Sequence, residues 1–275
     1  MEASRTLAVH SGLWLPAQTL WRREVVRFLR QRSRVIGAFG TPLIFWLLAG
    51  AGLQRSFSHG AEVGAGVSYA EYTFPGAIAA ILLFTSIFSM ISIIDDRRDG
   101  FLQGVLVAPT PRSAIVLGKV LGATTLAVGQ AVIFLLLAPL TGFHLGIGAI
   151  LATFVAMILV SVAVTSLGFW MAWKMESTQG FHAVMNLVLM PMLVLSGAFF
   201  PPSGSAGWLR WIMTFNPMTY CVSLIREALY IQMPASVGHG RGGLWPALGL
   251  SLLFAAAMFW YASFVAGKES ARAAN

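Results

Sequence analysis

The sequence predicts an all-α membrane protein. It has six transmembrane helices, an N-terminal amphipathic interfacial helix, and short re-entrant helices before the last span. Three observations predict this. The chain has 275 residues, 57% hydrophobic and only 10% charged, whereas soluble domains carry about 25% charged residues. Its apolar runs approach the ~20 residues that, at ~1.5 Å each, cross a ~30 Å hydrocarbon core. Its basic residues alternate in density from one inter-span segment to the next, as they do where loops lie on alternating membrane faces.

Three regions follow: a cytoplasmic amphipathic segment over residues 1–34, a six-span transmembrane domain over 35–267, and a cytoplasmic tail over 268–275. Residues 1–34 hold Arg5, Arg22, Arg23, Arg27, Arg30, Arg32 and Arg34. Trp14, Trp21, Val25 and Phe28 share one helix face. Such a helix lies in the headgroup layer and meets membrane lipid there. A secretory signal is not expected, because the first long apolar run begins near Val35, after the arginines.

The first span covers 35–54, with Pro42 a possible kink site, and a Gly- and Ser-containing loop covers 55–71. The second span, 72–94, ends at Asp95. There Asp95-Asp96-Arg97-Arg98-Asp99-Gly100 interrupts the apolar sequence. Each ionised side chain at mid-bilayer costs ~2.5–3.5 kcal/mol or more, so this stretch belongs in water at a membrane face. Leu102, Val105 and Leu106 fit a short interfacial helix closed by Pro109 and Pro111. The third span covers 113–141, with Lys119 placed to snorkel. The fourth covers 147–173, the fifth 181–200 and the sixth 244–267.

With both termini on one side, that side holds 14 of the 18 Lys and Arg. The asymmetry puts both termini and the Asp95–Gly122 stretch in the cytoplasm of a plasma membrane, bacterial inner membrane in type. The net charge of +8 is explained by those loops, and no soluble basic domain exists for nucleic acid. One cysteine, Cys221, excludes an intrachain disulfide and a cysteine metal cluster, and the five histidines are scattered. No metal, catalytic or cofactor-binding residue is expected in this chain.

No span centre carries Asp, Glu, Lys or Arg, the residues that ion-driven carriers commonly place in the membrane. The phosphate loop of nucleotide hydrolases is also missing, since Gly118-Lys119 leads to Val120 and Gly267-Lys268 to Glu269. Any ATP and Mg would therefore sit on a partner chain.

Two stretches carry a resemblance. Asp96-Arg97-Arg98-Asp99-Gly100, then Leu106-Val107-Ala108-Pro109 and Leu117-Gly118-Lys119-Val120-Leu121, is similar to a motif of the type-2 ABC exporter permeases. Phe200-Pro201, Trp208-Leu209, Phe215-Asn216-Pro217-Met218-Thr219-Tyr220 and Arg226-Glu227 resembles that family's last external loop. The chain departs from the motif at Arg98, Phe101 and Gln103. The resemblance implies a permease subunit paired with a second permease, expected as a homodimer, and with cytoplasmic ATP-binding subunits. Asp96, Arg97, Arg98 and Gly100 would couple it to the ATPase.

Within residues 201–230, Met218, Val222, Ile225 and Leu229 form one helical stripe. Two short helices there would form an outer gate around Asn216, Pro217, Arg226 and Glu227, with Arg226 and Glu227 at the water boundary. Polar residues inside spans are Gln130, Ser161, Thr165, Gln179, His182 and Asn186. His182 and Asn186 share a face of the fifth span and are the candidates for a conduit lining. Hydrogen bonding to neighbouring spans is the alternative role. Gly118 and Gly122 mark close helix packing. The cargo expected is hydrophobic or amphipathic: a drug, a lipid or a lipid-linked glycan. An ion-coupled secondary transporter or channel is the rival class, and a lipid-modifying enzyme lacks the polar catalytic cluster it needs.

Overall fold

A computed structural model describes residues 12–33, 36–37, 40–44, 46–48, 68–107, 110–143, 145–202, 205–231 and 243–273. Among these, five helices are long and apolar enough to cross a membrane, and they coincide with the expected second to sixth spans. The chain is a multi-pass, all-helical membrane protein. The expected first span falls partly outside the described residues. Residues 40–44 and 46–48 are helical, and Trp46 is buried, its indole donating to the Ala70 carbonyl at 3.0 Å. The 55–67 loop, Ala108-Pro109 and residues 232–242 lie outside the described residues.

Helix α1 runs Trp14–Arg30, with Pro16 tolerated in its first turn. Helix α2, Tyr69–Arg98, begins at Ser68, whose hydroxyl accepts from the Glu71 amide at 3.1 Å. It is the central post: 89% of its most apolar window is buried, against 17% for the last helix. The short α3 spans Phe101–Val107 and α4 Arg112–Leu135. A 3-10 turn at Ala138–Thr141 ends the expected third span early, because Pro139 cannot donate to continue the helix. Helix α5 is Ile147–Trp173 and α6 is Thr178–Leu193. Helix α6 passes into a π-helical segment, Val194–Ala198. Helices α7, Gly207–Phe215, and α8, Pro217–Leu229, precede α9, Leu244–Ala273.

Helices α4, α5 and α8 pack around α2, α9 covers α5 and α8, and α1 lies along α4. Rings close the core at the end opposite the charges. Phe74 stacks on Phe134 at 4.9 Å, Trp46 meets both edge-on, and Phe143 links them to Tyr230 at 5.1 Å. Buried hydroxyls bridge spans: Thr85 of α2 donates to Gln130 of α4, and Ser86 lies 3.3 Å from Ser161 of α5. Gln130 and Ser161 thus take the span-to-span hydrogen-bonding role.

Three local expectations are corrected. Helix α2 does not stop at Ile94 but carries Asp95 through Arg98 in its last turn, and the short helix starts only at Phe101. The buried face of α1 is Ala17, Leu20, Glu24 and Phe28, while Trp14 is exposed. Lys119 does not snorkel; it is 1% exposed and points into the protein.

Candidate functional site

The α1–α4 contact begins with two glycines. A Cβ on Gly118 would lie 2.7 Å from the Ala17 carbonyl oxygen and 2.7 Å from Leu20 Cβ, and one on Gly122 would lie 2.7 Å from Glu24 Cβ. These two residues let backbone meet backbone, so the expected small-residue packing is present. Its partner is the amphipathic helix. That approach carries Glu24, the sole acidic residue of α1, beneath the surface.

There Glu24 meets the charges of α2 and α4. The Lys119 ammonium donates to Glu24 at 2.7 Å, to the Ser92 hydroxyl at 3.0 Å and to Asp96. The Ser92 hydroxyl donates to the other Glu24 oxygen at 2.6 Å. Asp96 is fully buried. Arg23 grips it with both terminal nitrogens, at 2.9 and 2.6 Å, and Arg27 adds a third guanidinium contact while reaching Asp95 at 3.4 Å. Glu24, Asp95 and Asp96 thus face Arg23, Arg27 and Lys119, three charges against three. Isolated, any of these groups would be costly to bury. Paired and hydrogen-bonded, each is compensated. The hydrogen bonds to Asp96 raise the Arg23 pKa above its ordinary value, outweighing the opposite effect of burial.

The four residues expected to couple divide into two pairs. Asp96 is engaged inside the chain. Arg97 is too: it donates to the carbonyls of Trp173 and, at 3.1 Å, Met175. A cation there suits the carbonyl end of α5. Arg98 and Gly100 stand at the surface. Gly100 has φ +74°, and nothing lies within 4 Å of where a Cβ would be. Only glycine adopts that turn without strain, and it sends α3 away from the axis of α2. On α3, Leu102 is buried while Gln103, Gly104 and Val107 are exposed. Phe101, one of the three departures from the motif, lies under Arg23, its ring centroid 3.7 Å from the guanidinium carbon.

The opposite end holds a second polar assembly. Pro191 and the π segment break the hydrogen-bond ladder of α6, and Gly197 takes φ +79°. Backbone groups released inside a membrane protein need other partners. Asn216 Nδ2 donates to the Met192 carbonyl at 2.6 Å, while its Oδ1 accepts from the Met218 amide at 3.0 Å. Pro217 follows at the first helical position of α8. The Gly197 carbonyl accepts from the Tyr72 hydroxyl and from Arg226, each at 3.0 Å. Arg226 and Glu227 are therefore buried among helices, and the expectation that they mark the water boundary is corrected. The expected stripe Met218, Val222, Ile225 and Leu229 lies on one helix, α8, and all four residues are buried. Helix α7 instead exposes Trp208, Trp211, Ile212 and Phe215. His182 and Asn186 are both exposed on α6, with Phe88 5.9 Å from the His182 ring.

Comparison with known proteins matches residues 17–230 to the family model described as ABC-2 type transporter. This chain belongs to the ABC-2 type transporter family. It is similar to nodulation protein J of Rhizobium leguminosarum bv. viciae, 28% identical over 229 residues, which covers 82% of this chain and 85% of the relative. It is also similar to the daunorubicin resistance ABC transporter permease protein DrrB1 of Streptomyces coeruleorubidus, 26% identical over 245 residues, 87% of this chain and 80% of the relative. As an ABC-2 permease, the chain is an ABC transporter membrane subunit. The matched region runs from the buried face of α1 to the residue after α8, so it contains both polar assemblies.

Sequence reasoning misses Ser92, Tyr72 and, with the most consequence, Glu24. Its signal was present: one acid on a face otherwise formed by Ala17, Leu20 and Phe28, and a lysine set between two glycines. The carbonyl acceptors of Arg226 and Asn216 left no such trace.

Proposed function

We propose that this ABC-2 permease is the membrane half of an ATP-driven exporter, held at its charged end by a separate cytoplasmic ATP-binding subunit. The observation that carries the reading is α3. It is a short helix with an exposed face, joined through a glycine turn to the central post α2. A partner that shifts Arg98, Gln103 and Val107 shifts α2 with them, because Asp96 and Arg97 bind that end of α2 to α1, α4 and α5. Arg98 and Gly100 make the partner surface; Asp96 and Arg97 hold it in place from within. Both termini then lie in the cytoplasm of a plasma membrane of bacterial type.

A second permease, in the simplest case another copy of this chain, covers the α6 face that carries His182 and Asn186. An amide in the middle of a span is costly against lipid, so protein or a wet conduit opposite it is favoured. The cargo is hydrophobic or amphipathic, a class that includes drugs, lipids and lipid-linked glycans. The relatives' names, daunorubicin resistance and nodulation, fit that breadth. The buried ions give an ion-coupled carrier its one foothold, but they are mutually paired and lie at one end of the bundle. The test is co-purification with the ATP-binding subunit and ATP-dependent cargo movement in proteoliposomes, comparing the native chain with Arg98→Glu. Loss of both in Arg98→Glu is expected. Transport that ignores ATP and follows an ion gradient would reject the exporter.

A further inference from the structure

Among the described residues, helix α3 touches the bundle through few side chains. Leu102 is its one fully buried residue among those described, and the turn before it rests on Gly100 with φ +74°. A glycine turn alone leaves the direction of the next helix poorly determined. The described contact that spans this turn from another element comes from α1. Arg23 presents the edge of its guanidinium to Asp96, in the last turn of α2, and its face to the ring of Phe101, the first residue of α3. One planar group therefore touches the helix before the turn and the helix after it. Arginine can do both and lysine cannot, since the guanidinium fork pairs with a carboxylate while its plane stacks on a ring.

Helix α1 is itself fastened to α4, through the Gly118 and Gly122 contact and through Glu24 on Lys119. A continuous path results: Phe101 to Arg23, Arg23 along α1 to Glu24, and Glu24 to Lys119 of α4. We infer that Arg23 is a positioning residue, and that with Phe101 it sets the angle of α3 and makes α1 a second route, parallel to α2, by which movement of α3 reaches the spans. The structural half of this inference stands by itself; its consequence for transport rests on the exporter reading.

Spin labels on Gln18→Cys of α1 and Gln103→Cys of α3, both exposed positions, measure the α1–α3 distance in the full chain in nanodiscs. The native Cys221 is buried. The clamp gives one narrow distribution, broadened by Arg23→Lys, which keeps the charge for Asp96 and loses the stack. Phe101→Leu broadens it likewise, and Phe101→Tyr restores it. In the complex with the ATP-binding subunit, cargo moved per ATP hydrolysed falls several-fold in Arg23→Lys and Phe101→Leu and recovers in Phe101→Tyr. An unchanged distribution in both variants overturns the positioning role. A broadened distribution with unchanged cargo per ATP overturns the second route. A native chain that moves cargo without ATP sinks the exporter reading alone, because the distance measurement needs no nucleotide.

Discussion

Lys119 and Glu24 stand 95 residues apart in sequence and 2.7 Å apart in space. Both are almost completely buried, and each supplies part of the other's compensation, beside Asp96 for the lysine and Arg23 and Ser92 for the acid. Lys119→Met would remove the buried cation from Glu24, leaving it Ser92 and the more distant Arg23, and would remove one partner of Asp96. Breaking a buried pair from one side costs about 3–5 kcal/mol, and thermal unfolding in detergent should show a loss of that order. The double variant Glu24→Gln with Lys119→Met should lose less than the two single losses combined. Additive losses would mean that the pair is not coupled.

Gly122→Leu should detach α1. Any side chain there starts 2.7 Å from Glu24 Cβ, and overpacking of this kind costs about 1–3 kcal/mol. Limited proteolysis should then cut within α1 faster than in the native chain. Gly129→Ala on the same helix has nothing within 4 Å of its Cβ. It should be neutral or slightly stabilising, by up to about 1 kcal/mol of helix propensity.

At the far end, Tyr72 and Arg226 share one acceptor, the Gly197 carbonyl. Tyr72→Phe leaves Arg226 in place, and Arg226→Met leaves the hydroxyl. Either single change should cost about 1–3 kcal/mol, and the pair together more than the two taken separately. A double-mutant cycle on thermal stability reads the coupling. A zero coupling energy would show that the carbonyl does not depend on them jointly.

Val107 is 88% exposed on α3. Val107→Asp should leave the melting temperature of the isolated permease unchanged, since surface changes rarely exceed about 0.5 kcal/mol. It should nevertheless weaken association with the ATP-binding subunit, measured by pull-down. Full retention of binding would argue that the partner seats elsewhere.

Much of the architecture was legible because it depends on composition. Apolar length alone decides the fourth span, predicted over 147–173 and present as Ile147–Trp173. The common face of Met218, Val222, Ile225 and Leu229 on α8 follows from periodicity. What stayed hidden depends on partners distant in the chain. The last turn of α2 looked like a water-facing loop because five charged residues in a row ordinarily seek water. Cross-element contacts made by four cations, Arg23, Arg27, Lys119 and Arg97, let part of it turn inward. A lysine near a helix end ordinarily snorkels, and Lys119 does not because an acid from α1 comes to meet it. The break in α6 left only Pro191 and Gly197 as marks, and neither says which side chains will close it.

The fastening of α1 also orders biosynthesis. Glu24 leaves the ribosome well before Asp96 and 95 residues before Lys119. At ~5–20 residues per second, that is a wait of roughly 5–20 s. Until α4 is inserted, the nascent α1 has no seat, and its acid must remain hydrated. Its docking is thus a late event of membrane insertion, one that completes only after α2 and α4 stand side by side.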